Sequence, residues 1–174
     1  MFCRVSTAAR AYLAFTRYLT RGQPVLIALL RLWFGYGFAK AGLGKLQNIA
    51  ETARYFAGLG IPAPEVNAVM AGATEFICGA LLLLGAGSRA VAIPLIVTMA
   101  VAYATQHIDE FRTLWTIKVG ASYNPAPFFK AAPFPYLLTL LLVLFFGPGA
   151  ISIDGVIKSH LNRKDHEQSH DEPA

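Results

Sequence analysis

Residues 24–46 read PVLIALLRLWFGYGFAKAGLGKL, and the reading of this stretch decides the fold. At ~1.5 Å per residue it is roughly 35 Å long as a helix, enough to cross a hydrocarbon core of ~30 Å. Three cations interrupt it: Arg31, Lys40 and Lys45. At 100° per residue, Arg31, Gly35, Phe38, Gly42 and Lys45 share one face, and Lys40 lies opposite. Glycines on that face let a neighbouring helix or a ligand approach the backbone closely. A charge inside a membrane span lowers hydropathy and raises functional interest together.

Three further stretches complete a predicted four-helix membrane bundle. They run from Glu65 to Gly87, from Ser88 to Ile108, and from Pro133 to Ala150. Gly85-Ala86-Gly87-Ser88-Arg89 is a tight connection, so the second and third spans form an antiparallel hairpin. Gly147-Pro148-Gly149 ends the fourth, since glycine frees the backbone and proline cannot continue a helix. Pro94 predicts a kink in the third. Of the 174 residues, 55% are hydrophobic and only 14% charged, against about 25% charged in a soluble domain. An all-α polytopic membrane protein follows, and disorder, collagen and a disulfide scaffold are excluded. Cys3 and Cys78 form no CxxC pair, which excludes a zinc ribbon and a thioredoxin-type site. The net charge of +5 suits loops facing anionic lipid rather than nucleic acid.

Three regions are expected: an amphipathic N-terminal segment, 1–23, lying on the membrane; the membrane domain, 24–154; and a polar tail, 155–174, disordered after Leu161. Arg10, Arg17 and Arg21 interrupt any signal-peptide core. With both termini on one side, that side carries eight Lys and Arg against five on the other. The bias predicts cytoplasmic termini. On the opposite side, a short interfacial helix is predicted near Ala50 to Gly58. The longer loop from Asp109 to Ala132 places Trp115, Tyr123, Phe128 and Phe129 at the membrane interface.

A wider pattern joins these pieces: Arg31, Gly35, Phe38, Ala41-Gly42 and Lys45; Tyr55-Phe56; Leu59-Gly60-Ile61-Pro62; Glu75; Gly79 through Gly85; Ser88-Arg89; Pro133-Phe134; and Gly147-Pro148-Gly149 with Ser152 and Asp154. From about Ala28 to Asp154 the chain resembles the DoxX family of small four-helix membrane proteins. The resemblance implies a bundle in the bacterial inner membrane with redox partners in reach. Members include subunits of thiosulfate:quinone oxidoreductases and of a mycobacterial complex linking thiol balance to superoxide removal. Others have no assigned activity, and distant eukaryotic relatives act as membrane chaperones or cargo receptors.

The polar residues inside the spans are the candidate site. The second span carries Ala68, Gly72, Glu75, Gly79, Leu82 and Ala86 on one stripe, and the third carries Ile96, Ala100, Tyr103 and His107. These stripes are expected to face the first-span stripe. An ionised carboxylate in lipid must be paired or protonated. Arg31 is the expected partner of Glu75, either as a bundle-specifying pair or in a ligand or proton role. Arg31, Gly35, Gly42, Lys45, Glu75 and His107 are expected to border a cavity opening toward the outer half. A quinone or a lipid headgroup fits there, with Lys45, Tyr103 or His107 as donors and an apolar tail along Leu81 to Leu84 or the fourth span. Cys78 reads as a packing residue and Lys40 as a snorkelling cation. His166 and His170 lack a preorganised metal site, and no haem, flavin or iron–sulfur motif is present.

Three functions compete: a non-catalytic or quinone-interacting subunit of a membrane oxidoreductase, a scaffold or chaperone-like anchor for a soluble or membrane partner, and, last, a small-solute transporter. No duplicated half supports the transporter. Whether the chain is an enzyme, and whether it forms homo-oligomers, stays open.

Overall fold

A computed structural model describes residues 7–114 and 124–168, with side chains from 9 to 160. Cys3, Trp115 and Tyr123 lie outside the described residues. In chain order the helices are α1 (Thr7–Gln47), α2 (Ile49–Gly58), α3 (Pro64–Leu84), α4 (Ser88–Thr105), α5 (Ile108–Arg112), α6 (Ala126–Lys130), α7 (Pro133–Phe146) and α8 (Ile153–Gln168). The described residues contain no strand. Ala9–Gln47, α3 and α4 are each long and apolar enough to cross a membrane.

The ring of the bundle runs α1, α3, α4, α7 and back to α1. Its closest joint is α1 against α3. Gly35 faces the backbone of Leu83, where a Cβ would stand 2.9 Å from the Leu83 amide nitrogen. Seven residues on, Gly42 faces Phe76, where a Cβ would stand 2.6 Å from the Gly72 carbonyl and closer still to the Phe76 nitrogen. Seven steps along α1 match seven steps back along α3, so the pair is antiparallel. Lipid tails are as apolar as leucine, so close backbone contact must supply what the hydrophobic effect supplies in water. On both helices the predicted stripes are the buried ones: Arg31, Gly35, Phe38 and Gly42 on α1; Ala68, Gly72, Glu75, Gly79 and Leu82 on α3. Ile27, Phe38, Leu82, Ala92, Leu95, Leu140 and Val143 fill the centre, with Cys78 packed against them. Phe34 and Phe38 meet Tyr136 of α7 edge-on, at centroid distances of 4.8 and 4.9 Å. The outer surface carries large apolar side chains, among them Leu29, Trp33, Met70, Ile77, Ile93, Val97 and Phe145. With Arg31, Glu75 and the contact glycines turned inward and large apolar side chains also covering the outside, this is the arrangement of a protein solvated by lipid.

Four expectations are corrected. α1 is one helix of 41 residues, continuous through Pro24, with no separate N-terminal segment ending at residue 23. Proline deprives the Thr20 carbonyl of its donor but leaves the helix standing, and the Pro24 carbonyl accepts a hydrogen bond from the Ala150 amide at 2.8 Å. The fourth span is shorter than expected: α7 has 14 residues, about 21 Å at 1.5 Å each, and stops where Gly147 takes φ 90°. The chain after Leu161, expected to be disordered, is helical as far as Gln168. Ser152 caps that helix, its Oγ accepting the Gly155 amide at 3.1 Å. Finally, α4 is rotated from its expected phase: Ser88, Ala92, Leu95 and Tyr103 are buried, whereas Ile96 is half-buried and Ala100 exposed. α4 is apolar on every side, so hydropathy alone marks no inner face. The predicted interfacial helix is present as α2, which buries Ala53 and Phe56 against Ala68 of α3.

Gly42 and Gly44 separate contact from propensity. A methyl at Gly42 must drive the two backbones apart, whereas at Gly44 it meets nothing within 4 Å. Gly42→Ala is expected to destabilise the bundle by about 1–3 kcal/mol, and Gly44→Ala to be neutral or stabilising by up to ~1 kcal/mol. Unfolding of the detergent-solubilised protein measures both.

Candidate functional site

α1 and α3 touch backbone to backbone at Gly35, Gly42 and Gly79, and α4 packs beside α3. Toward the α2 end of the bundle they enclose a cavity of about 520 Å³, within the ~300–1,000 Å³ of small-molecule sites. Phe38, Ala41 and Lys45 line it from α1; Asn67, Ala71, Thr74 and Glu75 from α3; Pro94, Thr98, Met99 and Ala102 from α4. Pro133 and Tyr136 of α7, with Phe56 and Ile61 beside α2, close the far walls. Met70, Val97 and Val101 also line the space and are exposed, so it opens between α3 and α4 toward the lipid.

One ion pair stands in its wall. Lys45 Nζ donates to Glu75 Oε2. The Glu75 side chain is 8% exposed and that of Lys45 is 28% exposed. Lys45 is the more open of the two, and both border the cavity. His107 reaches the same space from the α4–α5 junction, its Nδ1 3.5 Å from Glu110 Oε1.

The predicted site residues divide. Lys45, Glu75 and His107 border the cavity. Gly35 and Gly42 do not; their space is occupied by the backbone of α3. Tyr103 is buried in an aromatic cluster, stacked on Phe128 at a 4.8 Å centroid distance, with its hydroxyl donating to the Phe128 carbonyl at 3.0 Å. It is unavailable as the expected donor. Asn67, Thr74, Thr98 and Gln106 line the cavity and were not singled out, because isolated amides and hydroxyls in a span look the same from sequence whether they line a space or bond their own helix.

Arg31 is not the partner of Glu75. The α1–α3 register sets Gly42 beside Phe76, so Arg31 lies some eleven residues, about 17 Å, from the level of Glu75. Arg31 instead serves the α8 end of the bundle. It is 1% exposed, and its two terminal nitrogens donate to the Leu82 carbonyl at 3.3 Å and the Ile151 carbonyl at 2.8 Å. Gly85, at φ 75°, is pressed against the guanidinium, where no side chain fits. The Asp154 amide donates to the Gly85 carbonyl at 3.0 Å. Its carboxylate accepts the amides of Gly87 at 2.7 Å and Ser88 at 2.9 Å, capping α4 from a distance in sequence. Partial burial pushes the Asp154 carboxyl upward. The two amides, the Ser88 hydroxyl and the nearby Arg31 charge outweigh that and hold it below the usual carboxylate range.

Fold and site together define, among the described residues, an all-helical polytopic membrane protein with a lateral, mostly apolar cavity bordered by a part-buried ion pair. The DoxX family model matches residues 26–108, so that part of the chain is similar to a DoxX domain. The chain is 28% identical over 142 residues to the uncharacterized membrane protein Rv3486 of Mycobacterium tuberculosis, covering 81% of this chain and 86% of that one. It is 29% identical over 142 residues to the inner membrane protein YphA of Escherichia coli, covering 76% and 90%. An uncharacterized protein of Haemophilus influenzae is 28% identical over 141 residues, covering 79% and 86%. No solved structure matches significantly.

Two measurements test this arrangement. Lys45→Met strands a buried carboxylate and is expected to cost about 3 kcal/mol; Glu75→Leu leaves a more exposed ammonium and costs less. The double variant recovers much of the loss, whereas Arg31→Met and Glu75→Leu combine additively. The folded-state pKa of Asp154 is depressed, so its contribution to stability is present above the unfolded value and is lost as pH falls through the folded value. Melting temperature against pH is expected to drop on the acid side in the wild type, and less so in Asp154→Asn.

Proposed function

We propose that this DoxX-type membrane protein is a non-catalytic, quinone-interacting subunit of a membrane oxidoreductase complex, placed in the bacterial inner membrane with both termini cytoplasmic. The observation that carries the reading is the cavity between α3 and α4, reached from the lipid side and lined by the part-exposed Lys45 beside Glu75. A quinone offers two carbonyl acceptors on an apolar ring with an apolar tail. Lys45 Nζ is a charge-assisted donor to one carbonyl, and His107, Asn67 or Gln106 are donors to the other. Met70, Val97 and Val101 give the tail an apolar exit to the bilayer. Glu75 holds the Lys45 ammonium in place. The described residues supply binding and orientation, and electron transfer would belong to partner subunits. The Lys and Arg bias supports the orientation, and the inner-membrane relative supports the compartment.

One observation favours the scaffold reading instead. Gly35 and Gly42 are taken up by the α1–α3 contact, and Arg31 gives its two terminal nitrogens to backbone carbonyls. Quinone content per chain after mild detergent purification separates the two. The wild type is expected to retain quinone. Ala41→Phe, at an exposed lining position, is expected to lose it while keeping the wild-type melting temperature. Phospholipid without quinone in the wild type would leave the scaffold reading standing.

A further inference from the structure

The face of α1 opposite the glycine joint is unpartnered. Leu29, Trp33, Tyr36 and Lys40 recur at spacings of four, three and four and form one stripe. Leu29 is 60% exposed, Trp33 75% and Tyr36 59%, and Lys40 is exposed as well. None of the side chains of Trp33, Tyr36 and Lys40 makes a hydrogen bond or ion pair with another described residue. An indole N–H, a phenol and an ammonium therefore lie in line on the lipid side of a membrane span.

Depth makes this costly. By the α1–α3 register, Lys40 is level with residue 78, about six residues or 9 Å inside the hairpin end of α3. Toward its own N-terminus α1 goes on exposing Leu32, Leu29, Leu26 and Val25. Seven residues, about 10 Å, separate Lys40 from the end of α1 in the other direction. Snorkelling that way, the expectation from sequence, works against the Cα–Cβ direction, which tilts toward the helix N-terminus. An ammonium in hydrocarbon calls for a counter-charge.

Among the described side chains none holds one at that depth. Glu75 is the one carboxylate inside a span, and Lys45 occupies it. Glu51 and Glu65 belong to α2 and the first turn of α3, Asp109 and Glu110 to α5, and Asp154 caps α4. Among the described side chains, a second copy thus brings no free carboxylate to the depth of Lys40. We propose that the Trp33–Tyr36–Lys40 face of α1 is the contact surface for a membrane-spanning helix of a different protein, one that presents an Asp or Glu to Lys40. Trp33 and Tyr36 supply flat contact area with a donor at each rim, and the ion pair fixes depth and partner choice. The surface lies on the opposite side of α1 from the glycine joint and is independent of what occupies the cavity.

The test is photocrosslinking in membranes of the native host, with benzoylphenylalanine in place of Tyr36 and, as control, of Ile93 on α4. The expected result is an adduct from position 36, and not from 93, with a different chain whose crosslinked span contains an acidic residue. Its yield falls about tenfold or more in Lys40→Leu and is retained in Lys40→Arg. An adduct at twice the mass of this chain, adducts to lipid alone, a crosslinked span without Asp or Glu, or a yield indifferent to Lys40→Leu would each overturn the proposal.

Discussion

Two helices in a bilayer gain nothing by hiding apolar surface from lipid, so the bundle depends on the contact at which α1 and α3 touch backbone to backbone. Gly35, Gly42 and Gly79 make that approach possible, since a Cβ at any of the three would collide with the main chain or Cβ of the opposite helix. The joint allows one register, and register then distributes the charges. It brings Lys45 to Glu75 and holds Arg31 far from it, free to gather the carbonyls of Leu82 and Ile151. The two polar centres of the protein follow from where four hydrogen atoms replace four side chains on α1 and α3, Gly72 being the fourth.

Those centres have different chemical characters. At the α8 end every strong group is directed at backbone: Arg31 at two carbonyls, Asp154 at two amides. Even Ile151, a β-branched residue at φ 53°, takes up a disfavoured conformation in which its carbonyl meets the guanidinium. Such a centre holds three helix ends together through the backbone, with the Arg31 Nε and the Ser88 hydroxyl left buried and unpartnered. At the α2 end the ion pair borders an open space, and the surrounding hydroxyls, amides and imidazole come from three different elements. Fixed dipoles around unfilled volume are what a binding site needs and what a helix joint avoids.

The sequence made the inner faces of α1 and α3 legible because each carries polar or glycine markers at helical spacing. The same reasoning failed on α4, where aliphatic residues on all sides leave only Ser88 and Tyr103 to betray the buried face. It also failed on the pairing of Arg31. Helical phase fixes which residues point inward but says nothing of how far one helix slides along another, and a slide of a few residues exchanges partners. Asp154 was visible as a motif residue without a role, since its partners Gly87 and Ser88 lie 67 and 66 residues away. The continuity of α1 through Pro24 was hidden for a local reason: proline marks a helix boundary only as a tendency, and here the C-terminal loop takes up its carbonyl.

The distance in sequence between Arg31 and its acceptors has a consequence for biogenesis. The Leu82 carbonyl is 51 residues downstream and the Ile151 carbonyl 120. At synthesis rates of about 5–20 residues per second, the guanidinium waits roughly 3–10 s for the first and 6–24 s for the second. Throughout that interval the first span carries an unsatisfied cation, and Lys45 too lacks its carboxylate until α3 has emerged. A nascent chain of this kind must linger at the translocon or beside an insertase, its first helix held in a half-wet environment, and becomes a settled membrane protein only when its last loop arrives.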